Sequence, residues 1–178
     1  MNYIYEEHLQ SPRLITRKLT MDDIEPWTEF FADKQAIEYF PSGQFESDRA
    51  RSQQWIEKQL DRYANNRFGL QALIDKEHNR FIGQCGLLEQ QVDGKTEIET
   101  GYHIFKKYWG NGFAPEAARL FIDYAFKNNL AKSVISIIDK RNIRSQRVAD
   151  KNGLIREKET NWMGLDVFIY RVTSEAWR

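Results

Sequence analysis

With a single cysteine in 178 residues, Cys85, the chain has no internal disulfide framework. A reducing, cytoplasmic setting is expected. No apolar run approaches the roughly 18 residues that a spanning helix needs, so no membrane is expected. The first residues, Met-Asn-Tyr-Ile-Tyr-Glu-Glu, contain neither a basic region nor an apolar stretch, so no secretory signal is expected. Net charge is lacking too: 26 Lys/Arg balance 26 Asp/Glu. That balance argues against a general nucleic-acid binder. The histidines His8, His78 and His103 show no metal-ligand spacing, so no metal is expected. Repeats, linkers and low-complexity tracts are also missing, and the length suits one domain over residues 1–178.

What is present is an ordinary globular composition, 41% apolar and 29% charged. The charges are unevenly spread. Residues 1–100 carry 12 Lys/Arg and 18 Asp/Glu, and residues 101–178 carry 14 and 8. Either this is a chance spread of solvated charges, or an anionic ligand meets the carboxy-terminal half and a cationic one the amino-terminal half.

The predicted elements alternate between strand and helix. Arg13 to Leu19 reads as a strand, and Asp22-Asp23 opens a helix through Trp27, Phe30 and Phe31 with Pro26 in its first turn. Ser47 to Ala64 reads as a second helix, with Trp55, Ile56, Leu60 and Tyr63 at helical spacing. Strands follow at Phe68 to Ile74, Phe81 to Glu89 and Thr96 to Phe105, the last two joined by the hairpin signal Asp93-Gly94. Alternation on the third places Glu97, Glu99, Gly101 and His103 on one face, and Ile98, Thr100, Tyr102 and Ile104 on the other. A helix from Pro115 to Asn129, a strand from Val134 to Ile138, a helix from Asn142 to Gly153 and strands at Ile155 to Thr160 and Val167 to Thr173 complete the chain. The class is mixed α/β.

Between a strand and a helix lies Lys107-Tyr108-Trp109-Gly110-Asn111-Gly112-Phe113-Ala114. Glycines there let backbone approach a ligand, and the helix start offers unpaired N–H groups to an anion such as a pyrophosphate. Two known phosphate motifs fail on this run. A dinucleotide fingerprint needs a third glycine at position 115, which is Pro115. A Walker loop needs Gly-Lys-Ser/Thr at the helix start, which is absent.

The run Glu99-Thr100-Gly101-Tyr102-His103-Ile104, then Tyr108-Trp109-Gly110-Asn111-Gly112-Phe113-Ala114-Pro115-Glu116-Ala117, resembles the cofactor motif of the GNAT superfamily of N-acetyltransferases. It is similar in particular to the branch of ribosomal-protein N-terminal (alanine/serine) acetyltransferases. Asn142 to Leu154 resembles the following helix of the same branch. The resemblance implies a single-domain α+β fold with a mixed six- to seven-stranded sheet, two splayed central parallel strands and about four helices. It implies acetyl-CoA as cosubstrate, its pantetheine pairing with backbone around Ile104 and Phe105 and its pyrophosphate in the loop from Trp109 to Ala114. Lys107 and Asn142 join the cofactor set, and Lys140, Arg141 and Arg144 are candidate phosphate partners. The superfamily often has Gln or Arg where Lys107 stands, and lysine lacks the planar fork. Many members have a tyrosine at the position of Ala149 to protonate the leaving thiolate. In this branch that role is credited to a serine, here Ser145.

Acetyl transfer to an amine needs a neutral nucleophile, a polarised carbonyl and an exit for the thiolate. Backbone N–H groups near Ile104 to Lys106 suit the second need. An α-amine of pKa about 7.7–8.0 is roughly one-tenth neutral at pH 7, whereas a lysine-like amine near 10.4 is neutral less than about once in a thousand. Glu99 is the leading candidate for general base, directly or through water; its alternative is an ordinary ion pair. Glu97, His103, Tyr39, Phe40 and Asp166 are candidate acceptor-binding residues, and His103 has the ordinary pKa to titrate near neutrality. Cys85 reads as strand packing. The acceptor stays open between a protein N-terminus and a small amine such as a polyamine, amino acid or antibiotic, in a monomer or homodimer. An acyl-CoA sensor that keeps the pocket without turnover is the alternative of another class.

Overall fold

The structure, a computed structural model, describes residues 5–178. Its turns are fixed by local chemistry. Asp93-Gly94 and Met163-Gly164 both have two successive positive φ angles (49° and 76°, 51° and 82°), the backbone of the two-residue hairpins that match strand twist. They join strand β3 (Arg80–Val92) to β4 (Lys95–Ile104), and β6 (Ile155–Trp162) to β7 (Leu165–Thr173). Helix α1 (Ile24–Ala32) takes Pro26 in its first turn, and α2 (Asp48–Ala64) starts where Ser47 Oγ accepts from Ala50 N–H at 3.0 Å.

Strands β1 (Leu14–Arg17), β2 (Leu70–Asp75), β3 and β4 form one antiparallel half of the sheet. Strand β5 (Ser133–Asp139), β7 and β6 form the other, giving the order β1-β2-β3-β4-β5-β7-β6. Helix α3 (Phe113–Lys127) carries the chain from β4 to the parallel β5, and α4 (Ile143–Lys151) follows β5. The expected mixed α+β architecture is therefore present, with seven strands and four α-helices among the described residues.

Apolar stripes place the helices on opposite faces. Trp27, Phe30, Phe31 and Ile56 of α1 and α2 bury against Ala72 and Phe105, with Trp27 stacked on Phe30 at 4.3 Å. On the other face Ala117, Phe121, Ile122 and Ala125 of α3, with Ala149 of α4, pack on Leu73, Ile82, Cys85, Leu87 and Ile104. Cys85 is fully buried and free, and burial pushes its thiol up, as packing requires.

Strand ends differ from the sequence reading where a partner decides them. β3 runs on to Val92 because Gln90, Gln91 and Val92 find Glu97, Thr96 and Lys95 opposite. β2 starts at Leu70, and Phe68 is a core side chain before it.

Candidate active site

Among the described residues, strand pairing joins the two halves of the sheet at Glu99 and Ile135, where β4 and β5 run parallel. Beyond that point the parallel strands part. Phe105 N–H donates to Ile82 on β3 at 3.1 Å. Strand alternation then turns the N–H and C=O of Ile104 toward β5, where no strand partner stands. Side chains bridge the start of the opening: Ser136 Oγ donates to the Thr100 carbonyl at 3.3 Å, and the Ile137 N–H donates to the Glu99 carboxylate. The splayed parallel pair expected from the resemblance is thus a direct feature of the register.

The glycine loop closes one end of this opening. Gly110 and Gly112 have φ of 79° and 77°, a conformation that disfavours any side chain. A Cβ on Gly110 would meet nothing within 4 Å, so its glycine serves backbone shape and leaves the space in front open. Asn111 Nδ2 donates to the Tyr108 and Trp109 carbonyls, and Trp109 Nε1 donates to the Ile104 carbonyl at 2.8 Å. Phe113 and Ala114 form the first turn of α3, whose N–H groups precede any intrahelical acceptor. Loop, strand end and helix start form a cradle of backbone donors suited to a pyrophosphate and an extended amide arm.

Of the four cations suggested for the phosphates, three hold carboxylates. Lys107 pairs with Glu29 at 2.9 Å, Lys140 with Glu159 at 2.7 Å and Arg141 with Asp139 at 2.9 Å. Arg144 alone lies on the loop, its guanidinium 4.0 Å from the Trp109 ring centre. Arg13 is a cation that sequence reasoning missed. It donates to the Asn111 carbonyl at 2.9 Å, pairs with Glu116 at 2.6 Å and covers the Phe113 ring. A residue almost 100 positions from the loop carries no local signal of that contact.

Glu99 sits at the apex of the opening, 9% exposed. Gln90 Nε2 donates to its carboxylate at 2.7 Å. Burial lifts its pKa above the usual carboxylate value, against the lowering effects of Gln90, the Ile137 N–H and the Arg62 charge. A carboxylate so placed keeps little solvation, and its basicity is raised toward neutral pH.

Across the opening, α4 begins with Asn142 Oδ1 accepting from the Ser145 N–H at 3.1 Å, a helix cap. Ser145 is half-buried in the first turn, and its Oγ lies 2.8 Å from the Tyr102 hydroxyl. In the sequence Tyr102 has a place on the opposite strand face and in the cofactor-motif run, but no role of its own. Its partner is 43 residues away, and alternation alone does not reveal it.

The remaining acceptor candidates scatter. Glu97 is held in a fork by Arg171 at 2.8 and 2.9 Å, which keeps its carboxyl below the usual range. His103 lies among Phe30, Phe40 and Trp55, with ring centres 5.1–5.9 Å away. Burial there pushes its pKa down to about 4. The expectation that it titrates near neutrality is corrected: packing against these rings takes from the half-buried ring much of the solvation that an imidazolium needs. Tyr39 lies beneath Arg141 at 5.5 Å, and exposed Asp166 receives a long 3.4 Å contact from Asn161. An open cleft of about 620 Å³ lies between α1 and the end of β4, lined by residues including Glu29, Phe30, Lys34, Phe105 and Lys106. In the turn after β2, the ligand atoms of Asp75, Glu77 and His78 lie within 4.8 Å of one another, and Asp75 already accepts from Glu77 N–H at 3.1 Å.

Among the described residues, no helix is long and apolar enough to cross a membrane. A model of the acetyltransferase (GNAT) domain matches residues 13–155. Protein YkkB of Bacillus subtilis (strain 168), described as uncharacterized, is 30% identical, covering 89% of this chain and 94% of its own. The N-acetyltransferase p20 of Bacillus licheniformis, also described as uncharacterized, is 28% identical over 86% and 88%. Among solved structures, a GNAT-family acetyltransferase from Bacillus anthracis superposes with a TM-score of 0.78 at 24% identity, covering 94% and 98% of the chains. RimL, a ribosomal L7/L12 alpha-N-protein acetyltransferase in complex with coenzyme A, gives 0.77 at 13% identity over 96% and 99%. At these identities the structural likeness is one of fold.

Proposed function

Because the chain belongs to the GNAT acetyltransferase domain family, we propose that it acetylates a primary α-amine by direct attack on acetyl-CoA, with Glu99 as general base and Ser145 at the leaving sulfur. As a member of that family the chain is an acetyl-CoA-dependent N-acetyltransferase, and acetyl transfer to an amine is its chemistry. The observation that carries the finer reading is the splay of β4 from β5 with the Glu99 carboxylate buried at its apex.

The backbone around Ile104 and Phe105 and the loop from Trp109 to Ala114 fit acetyl-CoA. Open space in front of Gly110 and the unpaired first turn of α3 suit the pyrophosphate, and the Ile104 backbone turned toward the gap suits pantetheine. Arg144 flanks the loop and offsets its anionic ligand, while Arg13, paired with Glu116, fixes the loop through the Asn111 carbonyl. Asn142 keeps its side chain on the α4 cap, so it acts by fixing Ser145.

Glu99 removes the proton from the amine that attacks. Its brace by Gln90 and Ile137 fixes the carboxylate, and its raised pKa brings it nearer that of an α-ammonium, which makes the transfer efficient. An α-amine also supplies far more neutral nucleophile at pH 7 than a lysine does. The acceptor enters from the α1–α2 side, where the open cleft beside Phe30 suits an extended chain terminus. Phe40 and His103 contribute an apolar, uncharged wall there, and Tyr39 with Arg141 lies at its rim. Glu97 is placed in support of the fold through Arg171, and Asp166 and Lys107 have no direct part. Residues 1–178 act as one catalytic unit, in the cytoplasm.

A thiol-release assay with acetyl-CoA tests this reading on peptides with free α-amines, on polyamines and on Nα-blocked lysine peptides. Turnover of the free α-amine peptides at least about tenfold above the blocked lysine peptides is expected. Equal turnover of both classes, or none on the peptides, contradicts it.

A further inference from the structure

Tyr102 lies on β4 past the last pairing with β5, on the face that α3 and α4 cover, and its hydroxyl spans the opening to the first turn of α4. Two acceptors lie near it: Ser145 Oγ at 2.8 Å and the Ser145 carbonyl at 3.1 Å. That carbonyl already faces the N–H one turn on in α4, as every helical carbonyl does. A phenol is more acidic than an aliphatic hydroxyl and is the better donor of the pair. With the phenol as donor, the shorter contact runs from the Tyr102 hydroxyl to the serine oxygen. Ser145 has one hydrogen of its own, and with its oxygen already accepting from Tyr102 that hydrogen is free to point away. The Asn142 cap fixes the backbone from which it points.

We propose that Tyr102 is a positioning residue: by donating to Ser145 Oγ it turns the serine hydrogen outward to the sulfur that leaves coenzyme A. This rests on the reading of Ser145 given above. The amine lone pair forms the C–N bond while the C–S pair withdraws onto sulfur. One N–H proton passes to Glu99. The Ser145 hydrogen bond holds the thiolate charge until sulfur takes a proton from water, and Tyr102 keeps its own proton throughout. Were the contact reversed, with Ser145 donating to Tyr102, the serine hydrogen would be spent inside the protein.

The test is a cycle of Tyr102→Phe, Ser145→Ala and the double variant, read as kcat and KM for acetyl-CoA, with thermal melts alongside. Tyr102→Phe keeps the ring and removes only the hydroxyl. Its kcat is expected to fall about five- to tenfold, the size of one lost hydrogen bond, with KM for acetyl-CoA unchanged. The double variant is expected to match Ser145→Ala alone, since Tyr102 acts through the serine. A slow Ser145→Ala beside a wild-type-like Tyr102→Phe overturns the positioning role and leaves Ser145 standing. Losses that multiply in the double variant overturn it too. A Ser145→Ala enzyme of wild-type kcat overturns both assignments. Should the phenylalanine variant melt early, a fluorotyrosine at position 102 reads the same link. Its more acidic phenol donates more strongly, so kcat is expected to rise, and an unchanged kcat overturns the proposal.

Discussion

On one side of the β4–β5 opening, the proposed cofactor site offers backbone from Trp109 to Ala114: two left-handed glycines and the start of α3, beside the Ile104 N–H. On the other, the surface facing α1 and α2 is made of side chains. There Glu99 is braced by Gln90 from the neighbouring strand, and His103 is packed by Phe30 and Trp55 from the two helices and by Phe40 from the segment between them. Backbone geometry is set by a few adjacent residues, whereas a side-chain surface is assembled from segments far apart in sequence. In the function proposed here the first kind of site holds the cofactor, and the second sets base, acceptor and pH response.

The sharpest way to separate the two is Glu99→Gln. Removing the proposed general base is expected to lower kcat by about 10²–10⁴-fold. The acidic limb of the wild-type kcat/KM profile reports a carboxylate that must be ionised, so activity falls as pH drops through its pKa. Burial places that limb above the ordinary carboxylate range, and the limb is expected to vanish in the variant. Trp27→Ala attacks the acceptor side through its packing. Trp27 is fully buried and stacked on Phe30, and its truncation is expected to destabilise the fold by about 3–5 kcal/mol in a denaturant titration.

Smaller effects belong to the cofactor side. Gly112→Ala puts a side chain where φ is 77°, costing about 1–2 kcal/mol of stability or shifting the loop. KM for acetyl-CoA is expected to rise while the acidic limb set by Glu99 stays in place. Arg13→Ala removes the donor to the Asn111 carbonyl and the partner of Glu116. KM for acetyl-CoA is expected to rise about two- to tenfold, with kcat unchanged.

His103 gives the finest distinction. Its imidazole is held near pKa 4 in the fold, against about 6.5 in an unfolded chain. Between those values the unfolded chain binds more protons, so this residue lowers stability as pH falls through that window. An NMR titration is expected to show the His103 ring neutral at pH 6, and a midpoint near 6.5 would contradict its enclosure.

The same contrast decides what could be read from the sequence. Asp93-Gly94 and the two loop glycines act through their neighbours, and each stands where its pattern puts it. The faces of β4 follow from alternation. Lys107 was legible as a donor near the loop but not as the partner of Glu29, 78 residues earlier. Arg13 on Asn111, Tyr102 on Ser145 and the rings around His103 are likewise products of the sheet bringing distant segments together. A pKa depends on such neighbours, so the imidazole of His103 could not be read from spacing.

The most direct test is a calorimetric titration of acetyl-CoA into Gly112→Ala and Glu99→Gln side by side. Binding by the backbone cradle and chemistry by the buried carboxylate together predict a Kd raised about tenfold or more in the first, and a wild-type Kd in the second. Unchanged binding by Gly112→Ala, with lost binding by Glu99→Gln, would contradict the account.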